Sequence, residues 1–232
     1  MQRWSEFNRF ANNYRSVHDE NLEATGYSSF YFAERKIREI HNIVKQQSAS
    51  LRILDLGCGD GLCTRLFRNY FPNSDILGLD VSRGIISKAQ EKKRSKTAFS
   101  IFDGTRIPFL SEAFDVIMLA NVLHHVDTAE KQAAILRECH RVLKVDGTLF
   151  VYEHNPINPI TRKLVKDCPF DHNARLIRHT RLKLLLHKLA FNVKCRFIIF
   201  FPGSLARLDF FEKFLWWAPL GGQYCAICTK AH

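Results

Sequence analysis

The stretch Ile53-Leu54-Asp55-Leu56-Gly57-Cys58-Gly59-Asp60-Gly61 decides how the rest of the chain is read. An apolar run closes in three glycines at alternate positions. It reads as a buried strand ending in a tight turn that opens a helix. Glycine has no Cβ, so the backbone can turn sharply here and come close to a ligand. A second apolar run, Ile76-Leu77-Gly78-Leu79, ends in Asp80, 19 positions after Gly61. A carboxylate at that spacing meets ribose hydroxyls in a nucleotide-binding βαβ unit. The pattern predicts a nucleoside site.

Two carboxylates argue against a dinucleotide. Asp55 lies at the mouth of the turn and Asp60 between the last two glycines. Both would repel a pyrophosphate approaching this backbone. The third glycine of a dinucleotide fingerprint would fall at position 62, which is Leu62. S-adenosylmethionine has no phosphate and carries a sulfonium and an ammonium, which an acidic loop favours. The D-x-G-x-G-x-G pattern with Asp80 downstream resembles motif I and the following acidic motif of class I S-adenosylmethionine-dependent methyltransferases. The segments Tyr152 to Arg162 and Asp167-Cys168-Pro169-Phe170-Asp171 resemble a bacterial subgroup of this family, of the type 11 kind, similar to ubiquinone-biosynthesis methylases.

Periodicity sets out the elements. Helices are predicted from about Ser29 to Gln47, Leu62 to Tyr70, Val81-Ser82 to about Arg94, Thr128 to Leu143, and from Thr180 onward. Asp127 with Glu130 has the form of an N-terminal cap for the fourth of these. Strands are predicted from Leu51, at Ile76 to Leu79, Ala98 to Phe102, Phe114 to Ala120, Thr148 to Tyr152, Val193 to Phe201 and Gln223 to Thr229. Alternating strands and helices imply a parallel sheet covered on both faces. Only a short segment separates the last two strands, which suits an antiparallel return. The expected fold is α/β: a Rossmann-like, seven-stranded, mostly parallel sheet with helices on both faces and an antiparallel last strand. The chain is expected to be a single domain over 1–232. It would carry an N-terminal helical cap at 1–48, an irregular basic insertion at 154–178 and an aromatic insertion at 202–221.

Ligands in open α/β sheets bind outside the carboxyl ends of the strands. Those ends supply the candidates for holding S-adenosylmethionine: Asp55, Gly57, Gly59, Gly61 and Asp80, then Asp103-Gly104 and Asn121. The resemblance implies that Asp103 and Gly104 meet adenine and that Asn121 lies by the methionine portion. It also implies that Tyr14, at the end of an aromatic stretch opening at Phe7, closes over the cofactor. Catalytic base candidates are His125, with its neighbour His124, beyond the fourth strand, and Glu153 and His154 beyond the fifth. Imidazole titrates near neutrality, which suits proton removal from an acceptor.

Composition bounds the function. The 232 residues carry a net charge of +11, which favours anionic partners. Arg162, Lys163, Lys166, Arg175 and Arg178 outnumber the acids of the 154–178 insertion and are expected to draw in an anionic acceptor. The seven cysteines show no framework spacing, and the start lacks a signal-peptide core. A cytoplasmic location follows as an expectation. Cys225 and Cys228 fall on opposite faces of a strand, which argues against a metal site there. Between the final strands, Leu205, Leu208, Phe211 and Leu215 form one helical stripe and Phe210, Phe214 and Trp217 another. This segment is expected to be a lid for a lipophilic acceptor touching the inner face of an anionic membrane, a homodimer interface, or a surface packed under the N-terminal aromatics.

The leading expectation is methyl transfer to a small-molecule acceptor, lipophilic or anionic. An RNA or other nucleic-acid methyltransferase is the enzymatic alternative. The Asn/Asp-Pro-Pro-aromatic motif is absent after the fourth strand, where the chain reads Ala120-Asn121-Val122-Leu123, and no Pro-Cys dipeptide occurs. The non-enzymatic alternative is a cofactor-binding partner subunit.

Overall fold

The computed structural model describes residues 13–44 and 50–231. Helices α1 (Tyr14–Leu22) and α2 (Ser29–Ile43) precede the sheet. Five strands then alternate with helices: β1 (Arg52–Leu56), α3 (Leu62–Tyr70), β2 (Asp75–Asp80), α4 (Arg83–Glu91), β3 (Thr97–Ile101), β4 (Phe114–Ala120), α5 (Ala129–Val142) and β5 (Leu143–His154). Next come α6 (Pro159–Asp167), α7 (His179–Lys188), β6 (Phe191–Ile198), α8 (Glu212–Leu215) and β7 (Gln223–Lys230).

The seven strands form one sheet in the order β3-β2-β1-β4-β5-β7-β6. Strands β1 to β5 pair in parallel, and β7 runs antiparallel between β5 and β6. This is the expected architecture. Register aligns the carboxyl ends: Leu56 pairs with Leu79 on one side and with Leu119 on the other. The chain leaves β1 and β4 toward opposite faces, so a crevice opens between their ends.

The strands are buried on both faces because two helical layers cover them. On one face Leu54, Ile117 and Val151 pack with Leu136, Cys139 and Val142 of α5 and with Leu182 and Leu186 of α7. On the other, Ile53, Val116 and Phe150 pack with Ile37 and Ile40 of α2 and Leu66 and Phe67 of α3. Cys225 joins the second cluster and Cys228 the first, on opposite faces as expected.

Three local expectations differ. The cap of α5 is Thr128, whose side chain accepts the Lys131 amide, rather than Asp127. The 154–178 stretch is not irregular throughout, because α6 occupies Pro159–Asp167. Asn158 caps it by accepting the Thr161 amide at 3.0 Å. Pro159 takes the first turn, where its missing N–H costs nothing, so the proline starts a helix here instead of breaking one.

The third difference is at 202–221. Gly203–Phe211 winds as 3-10 turns with a kink at Leu205, and the α-helix after it holds only four residues. Tighter turns change which side chains align, so neither anticipated helical stripe forms. Leu205, Phe210, Phe211, Phe214 and Trp217 are all exposed, Trp217 at 65%. The anchor is polar: buried Glu212 accepts the Phe200 amide at 2.7 Å and Arg35 at 2.6 Å. Asp209 accepts from Tyr31 at 2.7 Å and from Tyr27 at 3.2 Å. Of the N-terminal aromatics in the third packing alternative, those at 4–10 lie outside the described residues, and Tyr27 and Tyr31 are the two that hold Asp209.

Candidate active site

The glycine turn is left-handed at Gly57, Gly59 and Gly61, with φ of 78°, 54° and 76°. Space divides the three. A Cβ on Gly57 would stand 2.4 Å from Val122, and one on Gly61 would stand 2.5 Å from Phe99. Those two glycines allow the turn to pack. Gly59 is the open one, its nearest neighbour being the Tyr14 ring at 3.7 Å. Asp80 braces the turn: Oδ2 accepts the Gly59 amide and Oδ1 the Ser82 amide, each at 2.9 Å. The Gly57 and Cys58 amides both donate to the Leu79 carbonyl.

The acids of the turn carry less free charge than the sequence implied. Asp60 is paired with Arg15 of α1, whose Nε donates at 3.2 Å. Asp55 is 1% exposed and accepts the Thr64 hydroxyl at 2.6 Å. Burial pushes its carboxyl up to about 7. The repulsion of a pyrophosphate therefore rests on Asp55 and Asp80, with Asp60 largely neutralised by a partner 45 residues away.

A cavity of about 180 Å³ opens over this turn. Tyr14, Asp55, Gly57, Gly59, Asp80, Gly104 and Asn121 line it. Gly61 and Asp103 are not among its lining residues. Asp103 is exposed, and its Oδ1 accepts the Thr105 and Arg106 amides at 2.8 Å. Those bonds hold its carboxyl below the usual range. Asn121 adopts φ 59°, and its buried Oδ1 has no hydrogen-bond partner among the described residues. An orphaned acceptor facing a cavity suits a ligand that donates there.

The same cavity is also lined by His18, His124, His125, His154, Phe170 and Asp171. His124 Nδ1 lies 2.6 Å from Glu153 Oε2, and the other oxygen, Oε1, accepts the Leu123 amide at 2.8 Å. Glu153 is fully buried behind His124 and does not face the cavity. Asp171 Oδ1 lies 3.2 Å from His125 Nε2 and 3.7 Å from His124 Nε2. Burial disfavours the charged form of His124, but Glu153 and Asp171 outweigh it and raise the imidazole to about 10. Burial and then the His124 charge push His154 down to about 3. Burial and His124 also lower His125. At neutral pH His154 is therefore a neutral imidazole beside a cationic one.

The sequence reading missed Asp171, His18, Phe170 and Arg15 as parts of this site. Phe170 stacks on Tyr14 with centroids 5.2 Å apart, which joins the α6–α7 loop to α1. Residues 169–171 carried only a family resemblance, and no spacing rule ties them to a histidine pair 46 positions earlier.

Residues 54–151 match the family model described as a methyltransferase domain. That central stretch, somewhat under half of the chain, is similar to a methyltransferase domain. Over 103 residues it is 33% identical to the malonyl-[acyl-carrier protein] O-methyltransferase of Legionella pneumophila, matching 44% of this chain and 35% of that protein. Over 107 residues it is 35% identical to the demethylmenaquinone methyltransferase of Thermotoga maritima, matching 46% of this chain and 45% of that one. The match therefore spans less than half the length of either relative. Among solved structures, a SAM-dependent methyltransferase from Thermotoga maritima superposes with a TM-score of 0.70 at 19% identity, covering 98% of this chain and 99% of that one. One from Archaeoglobus fulgidus gives 0.67 at 19%, covering 88% and 95%. At such identities the superpositions speak for the fold.

The cofactor of this domain class is S-adenosylmethionine, and the cavity's donor set fits it. Asp80 has acceptor capacity left for hydroxyls, Asn121 Oδ1 awaits a donor, and Tyr14 packs over Gly59 at van der Waals distance beside the cavity.

Proposed function

We propose that this protein transfers the methyl group of S-adenosylmethionine to a small lipophilic acceptor. The observation that carries the reading is one cavity lined both by Asp80 and Asn121 and by the His124, His125 and His154 imidazoles. When bound, the cofactor supplies an electrophilic methyl on a sulfonium. Asp80 then holds the ribose, Asn121 accepts from the methionine ammonium, and Tyr14 covers the turn beside Gly59. Most of the acceleration comes from holding the acceptor in line. His154, neutral and in the cavity, is placed to accept a hydrogen bond from the acceptor, and its lowered basicity suits an acceptor that is already acidic. Glu153 acts through His124 by fixing its ring and tautomer.

A second cavity of about 120 Å³ supports a lipophilic acceptor. It shares His18, Phe32, His154 and Asp171 with the first, and continues between Leu164, Val165, Phe200 and Pro202 toward the exposed aromatic segment. That segment would serve as the lid, at an anionic membrane surface or against a second copy of the chain. The names of the two relatives, one acting on an acyl carrier and one on a quinone precursor, are in keeping with such an acceptor. None of Arg162, Lys163, Lys166, Arg175 and Arg178 lines either cavity. Their part in drawing an anionic acceptor would act at a distance, and would weaken with salt.

The test is turnover of methyl-labelled cofactor in a cell extract split into organic and aqueous fractions. The reading expects label in an organic-soluble product. Label in an RNase-sensitive polymer would instead identify a nucleic-acid methyltransferase. Cofactor binding without any labelled product would identify a partner subunit.

A further inference from the structure

We propose that His124, His125 and Asp171 form a binding site for a divalent transition-metal ion in the wall of the larger cavity. One ligand atom from each side chain lies within 4.8 Å of the others. Asp171 Oδ1 sits 3.2 Å from His125 Nε2 and 3.7 Å from His124 Nε2. Nitrogen and oxygen ligands bonded at roughly 2.0–2.1 Å around a tetrahedral ion stand about 3.3 Å from each other. The His125–Asp171 separation is at bonded spacing, that of His124–Asp171 is a few tenths of an ångström longer, and the two imidazoles offer nitrogens within 4.8 Å of each other.

A second observation points to an ion at the same place. His124 is 1% exposed, and its Nε2 has no hydrogen-bond partner among the described residues while its ring lines the cavity. A buried ring nitrogen left without a partner requires an explanation, and a metal ion bound there would displace the proton that Nε2 carries in the cationic ring. Its other nitrogen, Nδ1, donates to fully buried Glu153 at 2.6 Å. That is the carboxylate–histidine arrangement that fixes the tautomer of a metal-bound imidazole and raises its basicity. Glu153 is itself held by the Leu123 amide, so the ring cannot swing away. Two imidazoles and one carboxylate suit zinc or iron(II) more than magnesium or calcium, which take all-oxygen sets.

Three protein ligands leave a coordination position facing the cavity, as catalytic rather than closed structural sites do. The chemistry that would occupy it is an oxygen of the acceptor or a water. The proposal does not depend on the methyl-transfer reading, because metal binding is measured with neither cofactor nor acceptor present.

The experiment uses chelator-treated full-length protein titrated with Zn²⁺ by calorimetry, and with Co²⁺ followed by its visible absorption. The expected result is one saturable equivalent, with the Co²⁺ spectrum of a low-symmetry nitrogen and oxygen site. Asp171→Asn and His125→Ala should abolish that equivalent. Glu153→Gln should weaken it by about 10- to 100-fold, the range for partners behind a ligand. Circular dichroism checks that each variant is folded. Asp171→Asn is the variant best placed to fold normally, since its side chain is at the cavity surface. No saturable binding, or an equivalent that survives Asp171→Asn with a sulfur-type spectrum, would overturn the proposal. In that case the cluster is a hydrogen-bonded ionic group only.

Discussion

Arg15 of α1 grips Asp60 of the glycine turn, 45 residues further along the chain. The pair ties a helix outside the sheet to the loop at the heart of the cavity. It also fixes Tyr14 in place, because the two residues are adjacent and Tyr14 is stacked on Phe170. Arg15→Ala should weaken S-adenosylmethionine binding although Arg15 belongs to no motif. A double-mutant cycle with Asp60→Asn should return a coupling of about 1 kcal/mol, since the pair is only partly shielded from water. Additive single effects would mean that the two side chains act separately.

Asp80 has two duties, bracing the Gly59 amide and offering its remaining lone pairs to a ligand. Asp80→Ala should reduce affinity for S-adenosylmethionine by roughly 1.5–3 kcal/mol, the scale of charge-assisted hydrogen bonds. Calorimetry on the native protein should also show no binding of NAD. Tight NAD binding without heat from S-adenosylmethionine would overturn the cofactor assignment for this cavity.

Asp55 gives the binding a pH dependence. Burial raises its carboxyl from an ordinary 3.8 to about 7 in the folded protein. A raised folded value stabilises the fold below the unfolded value, and that contribution is lost as pH climbs through about 7. Cationic groups of a ligand favour the ionised carboxylate. S-adenosylmethionine binding below pH 7 should therefore release a proton, and affinity should rise up to about pH 7. Calorimetry in buffers of different ionisation heat measures the proton directly. Asp55→Asn should remove the release.

Glu212 holds the aromatic segment from beneath through Arg35 and the Phe200 amide. Glu212→Ala should lower stability by about 2–3 kcal/mol in urea unfolding, because it strips two charge-assisted bonds from a buried position. Replacing exposed Phe210, Phe214 and Trp217 together with serine should change stability little, with each site within about 0.5 kcal/mol. The same triple variant should lose flotation with anionic liposomes if the segment is a membrane-facing lid. Equal behaviour of native and variant proteins, with normal turnover of a lipophilic acceptor, would leave the segment a packing role.

The central strands and the turn were legible because strands buried on both faces read as unbroken apolar runs. Phe114–Ala120 and Leu62–Tyr70 were predicted to the residue. The peripheral pieces were not, because their order comes from single polar anchors. Asn158 starts α6 and Glu212 pins the aromatic segment, and neither leaves a periodic trace. Glu153 and His154 were grouped as base candidates, yet adjacent strand residues point to opposite faces. Alternation alone separates the buried Glu153 from the cavity-lining His154. Asp171 was the residue least open to prediction. Its approach to the histidine pair depends on how the loop after α6 folds back, a contact that no local pattern encodes.

The position of β7 bears on how the protein is made. It is the last of the seven strands to be synthesised, yet it pairs with both β5 and β6, and β6 has no other neighbour in the sheet. On the ribosome, β1 to β4 with α3 and α4 can assemble the glycine turn and its Asp80 brace early. The outer edge of β5 meanwhile stays bare until residues 223–230 emerge. A nascent chain at that stage exposes an unpaired, apolar strand edge of the kind that seeds aggregation. Emergence of β7 and closure of the sheet are thus one event, and chaperone demand should fall sharply once β7 has left the ribosome.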